Sequence, residues 1–127
     1  MTRVLKKGAG WRIGWNPDPT CTFAGLVGTD DWAVELTAAE FKDFCRLLVQ
    51  LSDTVESIAS ELMDEERISI EAESELVWLE LEGFPTNYDL RMLLLTNRNV
   101  EANWKAITTK ELVNLAQIFH GTQDLPL

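Results

Sequence analysis

Histidine is almost missing from this chain: His120 is the only one in 127 residues. That scarcity removes most general-base and nucleophile-activating chemistry. Cysteine is nearly as rare, and Cys21 and Cys45 are not spaced as a redox or zinc pair. A fold without disulfides, in a reducing cytosol or plastid stroma, is the expectation. Long hydrophobic runs are also lacking, since residues 76–79 and 93–95 fall far short of the ~20 apolar residues of a membrane helix. No bilayer-spanning segment is expected, and nothing at the start reads as a signal peptide. Basic residues are outnumbered, with 11 Lys and Arg against 21 Asp and Glu for a net charge of -10. Such a balance opposes non-specific binding to nucleic acid or an anionic membrane, which runs on counterion release by cations.

What remains is ordinary globular material, 46% hydrophobic and 25% charged, enough for one domain with its own core. The charge is unevenly placed. Residues 1–17 hold Arg3, Lys6, Lys7 and Arg12 with no acid, whereas residues 52–82 set eleven acids against the single base Arg67.

Trp11, Ile13 and Trp15 alternate with Arg12, Gly14 and Asn16, the period of a strand with one buried face. Pro17-Asp18-Pro19 ends it as a turn. A second strand is predicted from about Cys21 to Val27, and after Gly28-Thr29-Asp30-Asp31 a third from Trp32 to Leu36. Three strands thus precede the first helix. Thr37 and Glu40 have the spacing of a capping box. The apolar positions Phe41, Phe44, Leu48, Leu51, Val55, Ile58 and Leu62 then form one stripe on a helix of about 25 residues. Ser52, Asp53 and Glu56 could cap a second helix there, leaving a break near Ser52 open. The helix is expected to end at Asp64-Glu65-Glu66.

Four further strands are predicted, at Ile68 to Glu73, Leu76 to Glu82, Tyr88 to Leu95 and Val100 to Ile107. Thr108 and Glu111 then repeat the capping box. A short helix follows with Leu112, Leu115, Ala116 and Phe119 on one face, ending at His120-Gly121. The second half repeats the first at an offset of about 71 residues, the distance from Thr37 to Thr108. Leu36 matches Ile107, Glu40 matches Glu111, and Phe41, Phe44, Cys45 and Leu48 match Leu112, Leu115, Ala116 and Phe119. The predicted fold is α+β: two tandem antiparallel strand-rich repeats, about 8–63 and 67–121 of a single domain, each ended by a helix and related by a pseudo-twofold.

Few residues suggest chemistry. His120 suits the end of a helix, where an imidazole meets the last carbonyls. A Cys45–His120 dyad is conceivable, but Cys45 lies on the apolar stripe, where a small buried thiol is the ordinary explanation. Glu61, Asp64, Glu65 and Glu66, like Glu71, Glu73 and Glu75, lack EF-hand spacing and read as solvated acids; no metal or cofactor is implied. Gly8, Gly10 and Gly14 lack the spacing of a phosphate loop. Aromatics and bases interleave at one place only: Arg3, Lys6, Lys7, Trp11, Arg12 and Trp15. That set can stack on and neutralise single-stranded nucleic acid, or its tryptophans can form the core face of a strand or a dimer contact.

The stretches Gly10-Trp11-Arg12-Ile13-Gly14-Trp15-Asn16-Pro17, Asp31-Trp32-Ala33-Val34-Glu35-Leu36-Thr37 and Leu79-Glu80-Leu81-Glu82-Gly83 resemble a cyanobacterial family, domain of unknown function 1818. So do Gly25-Leu26-Val27-Gly28, Phe44-Cys45-Arg46-Leu47 and Glu61-Leu62-Met63-Asp64-Glu65-Glu66. The resemblance implies the fold of the Whirly-type regulators that bind single-stranded DNA, and it brings no catalytic residue. This chain departs from them in lacking a Lys-Gly-Lys-type basic motif and in its acidic charge. The expectation is a non-enzymatic interaction or regulatory module of the cytosol, with an unknown protein partner or a second copy. The alternative is local single-stranded nucleic-acid binding through the basic, Trp-bearing N-terminal strand.

Overall fold

The computed structural model describes residues 3–61 and 66–121. Among these, two four-stranded antiparallel sheets are each followed by a helix. The first sheet has the order β1 (Val4–Gly8), β2 (Trp11–Trp15), β3 (Gly25–Gly28) and β4 (Ala33–Leu36), and leads into α1 (Ala38–Ala59). The second is β5 (Ile68–Glu73), β6 (Val77–Phe84), β7 (Asn87–Leu94) and β8 (Glu101–Trp104), and leads into α2 (Ala106–Gly121).

Four strands, not three, precede α1. The unpredicted β1 pairs Val4 with Trp15 and Gly8 with Trp11, so the first repeat begins at Val4 and the basic segment is a sheet edge. Its Lys6-Lys7-Gly8 sequence carries little strand preference, yet lysines are what exposed edge strands use. The β1–β2 hairpin turns at Gly10, whose φ of 84° lies in the left-handed region that glycine adopts without penalty. Strand β3 is shorter than predicted and starts at Gly25. Residues ahead of it are held instead by local turns, in which the Asp18 carboxylate accepts from the amide and hydroxyl of Thr20.

The capping box at α1 is complete. Glu40 N donates to Thr37 Oγ1 at 3.1 Å, and Thr37 N donates to Glu40 Oε1 at 2.8 Å. The helix runs unbroken past Ser52, because the stripe Phe41, Phe44, Leu48, Leu51 and Val55 stays buried along its length. Leu62, and the predicted stop at Asp64 and Glu65, lie outside the described residues. Replacing Thr37 by Ala is expected to lower stability by about 1 kcal/mol, read from urea denaturation. A change no larger than that of an exposed substitution such as Thr54→Ala would mean the cap is idle.

The second capping box does not form. Helix α2 starts two residues ahead of Thr108, and the Asp89 carboxylate of β7 accepts from Ala106 N at 2.7 Å. Thr108 and Thr109 therefore lie inside the first turn and donate their hydroxyls back to Lys105 O. Glu111 has a different partner, accepting from Trp11 Nε1 at 2.6 Å. Ile107, matched to buried Leu36 by the sequence, is 86% exposed. The strand-to-helix joint recurs at an offset of 68 residues, from 38 to 106, which pairs Phe44 with Leu112, Cys45 with Val113, Leu48 with Ala116 and Leu51 with Phe119. All eight are buried. The 71-residue offset exceeds this by three residues, nearly one helical turn, which leaves most of a buried stripe in phase.

Helix α1 packs on α2 and touches both sheets, β3 and β4 of the first and β5 and β6 of the second, while α2 lies on β7 and β2. The core is therefore shared. Trp15 stacks on Phe41, Phe41 meets Phe119 edge-on, and Phe44 and Trp32 both lie against Trp104. The helices cover the inner face of each sheet, which leaves the other faces outward.

Candidate interaction surface

Alternation sorts the six residues singled out above onto different faces. Trp11, Ile13 and Trp15 point inward, and each tryptophan is only 7% exposed. Trp15 has its ring centroid 5.3 Å from that of Phe41, and the Trp11 indole lies across Gly8, leaving no room there for a side chain. Arg12 points the other way. It is directly opposite Lys7 across the β1–β2 ladder, and its Nε donates to Thr29 O at 2.6 Å. Lys6 shares its face with Ile13 but is exposed on the edge, and Arg3 is exposed just ahead of β1. The structure thus joins Lys7 with Arg12 and separates both from the indole rings. Stacking of bases on Trp11 or Trp15 has no open ring face to use.

The outward face of the first sheet carries a different apolar set, which the sequence did not mark. Gly14 lies between Leu5 and Leu26 in the register, so the middle of the face is bare backbone flanked by two leucines. Leu5 is 58% exposed. A groove of about 290 Å³ there is lined by Arg3, Leu5, Asn16, Phe23, Leu26 and Glu35. The Arg98 guanidinium lies 4.8 Å over the Phe23 ring, a cation–π contact that fixes one wall of it. Leu26 and Phe23 both fall in the strand predicted from about Cys21 to Val27, where no periodic signal distinguishes an outward direction; in the structure only Leu26 is in β3, and Phe23 lies ahead of it.

The second sheet has an outward face of the opposite sign. Glu71, Glu80 and Arg91 stand in one row of the register, Glu73 and Trp78 in the next, and Glu82 with Asp89 in a third. Arg91 is the one cation among them, paired with Glu101 at 3.1 Å and 5.4 Å from the Trp78 ring.

Cys45 and His120 differ in their access to solvent. Cys45 is fully buried, and loss of solvent pushes its thiol well above the ordinary range, opposite to the activation a nucleophile needs. His120 is exposed near the end of α2, in a shallow groove with Arg46, Gln50 and Asp53. Among the described residues, no three His, Cys, Asp or Glu side chains gather closely enough to hold a metal ion. Asp64 and Glu65 lie outside the described residues. No helix among the described residues is long and apolar enough to cross a membrane.

Residues 6–119, from β1 through nearly all of α2, match the family model for a domain of unknown function (DUF1818). The chain belongs to this family. A crystal structure of a protein with unknown function, described as from the DUF155 family of Prochlorococcus sp. NATL2A, is similar in sequence and fold. It is 30% identical, with a TM-score of 0.84 over 92% of this chain and 98% of that one. No curated protein matches this chain. The family and the similar structure assign no specific activity.

Proposed function

We propose that this domain is a non-enzymatic interaction module, which presents the outward face of its first sheet to an acidic, partly apolar segment of another protein. The observation that carries this reading is the juxtaposition of Leu5, Leu26 and the Gly14 backbone with Lys7 and Arg12 on one exposed face. An apolar strip beside cations matches a segment whose acids face the bases and whose side chains fill the groove. The rest of the domain is acidic and repels such a segment, so docking is confined to this face.

Nucleic-acid binding, drawn from the resemblance to Whirly-type regulators, is the second reading. Lys7 opposite Arg12 favours it, and the burial of both tryptophans and the net charge weigh against it. One experiment separates the two. Peptides selected from a random display library on the wild-type domain are expected to be acidic and hydrophobic, and to bind at least about tenfold more weakly to a Leu5→Asp/Lys7→Glu/Arg12→Glu variant. Peptides that bind the variant equally well would sink the proposal. Anisotropy of a labelled single-stranded DNA oligonucleotide provides the other arm: binding that weakens steeply with salt and vanishes in that variant puts nucleic acid first.

A further inference from the structure

Four strands end the two sheets, and their edges are not equivalent. β4 and β8 have four residues each, whereas β1 has five and β5 six. β1 hydrogen-bonds to β2 alone and β5 to β6 alone, so each leaves one row of backbone amides and carbonyls unpaired by a strand. These two longer edges carry opposite charge. β1 offers exposed Lys6 and Lys7, and β5 offers exposed Glu71 with Glu73. None of the four forms an ion pair among the described residues.

We propose that β1 of one copy adds to β5 of a second copy, so that the first sheet of one molecule continues into the second sheet of another. Open edges pair by default unless something opposes it. Here charge opposes only the wrong pairings: β1 against β1 sets lysine on lysine, and β5 against β5 sets glutamate on glutamate. In the antiparallel register with Lys7 opposite Glu71, Glu73 and Ser69 lie diagonal to Lys7 on the outward side. Gly8 and Lys6 then meet Ile70 and Ala72 on the inward side. The interface is heterologous, each copy giving one basic and one acidic edge. The net charge of -10 works against association through space. At about 0.1 M salt the Debye length is ~10 Å, so that distant repulsion is screened while charges adjacent across a ladder remain coupled.

Charge reversal tests this in a way that misfolding cannot imitate. Lys6→Glu/Lys7→Glu makes both edges acidic, and Glu71→Lys/Glu73→Lys makes both basic. In sedimentation velocity over a concentration series reaching the millimolar range, the wild type is expected to gain mass. Each variant alone is expected to associate roughly tenfold or more weakly. An equimolar mixture of the two should regain wild-type association, because each acidic β1 then meets a basic β5 and the reverse. A wild type that stays monomeric throughout overturns the proposal. So does association that survives in either variant alone, or a mixture that fails to recover while both variants keep the wild-type circular dichroism. Lys7 belongs to both surfaces, but Glu71 and Glu73 belong to the edge alone, so failure of association in the Glu71→Lys/Glu73→Lys arm leaves the peptide-docking face intact.

Discussion

Replacing Trp104 by Ala is expected to lower the stability of the domain by about 4 kcal/mol, the largest loss of any single side chain considered. Trp104 is 1% exposed at the end of β8, where its ring meets Phe44 of α1 and Trp32 ahead of β4. Its Nε1 donates to Gly28 O of β3 at 2.9 Å. Strands of the second half and elements of the first therefore close on one indole. The cavity left by Ala cannot collapse easily, because its walls belong to a sheet and a helix that are fixed elsewhere. Trp104→Phe isolates the polar part of the effect. It keeps most of the ring volume and deletes the donor, so about 1–2 kcal/mol should go with the Gly28 carbonyl's lost partner. Urea denaturation followed by circular dichroism measures both. If the two halves unfolded in separate steps, or if Trp104→Ala cost no more than Trp104→Phe, the shared core would not be what holds them together.

That shared core marks the limit of what local pattern discloses. The alternation at Trp11, Ile13 and Trp15, the box at Thr37 and Glu40, and the stripe from Phe41 to Val55 are written within a few residues, and each appears in the structure as expected. Element type follows from such short-range periodicity, so the order of strands and helices was largely legible. β1 was hidden because an edge strand is chosen against strong strand formers, and Lys6 and Lys7 read simply as charge. The start of α2 was misplaced for another reason. Its first amide is capped by Asp89, seventeen residues away along the chain, and no local signal could compete with a well-spaced Thr108 and Glu111. The candidate surface follows the same division. Lys7 and Arg12 were visible as a basic patch, while Leu26, Phe23 and the bare backbone at Gly14 became a face only through the register of three strands.

Arg98 is expected to be the most sensitive charged position, with Arg98→Ala costing about 3 kcal/mol. It stands in the turn between β7 and β8, and its Nη1 donates to Glu40 Oε1 at 2.8 Å, across 58 residues of sequence. Glu40 is 2% exposed and serves two ends at once: it completes the cap of α1 through Thr37 N and receives Arg98 and the Thr96 hydroxyl. The other Arg98 nitrogen donates to the Glu35 carbonyl. Removing the guanidinium strands a carboxylate in the interior, which is far more harmful than losing an exposed ion pair worth about 0–1 kcal/mol. Arg98→Lys should recover only part of the loss, because an ammonium cannot reach both acceptors with the planar fork. The decisive comparison is Arg98→Met with and without Glu40→Gln. If the penalty comes from the stranded charge, the second substitution restores stability to the first, since a neutral amide still accepts from Thr37 N without needing a cation. The double variant should then be more stable than Arg98→Met alone. A double variant as unstable as the sum of its parts would show that Arg98 acts by packing on Phe23, and that no clasp at Glu40 ties the second half to the start of α1.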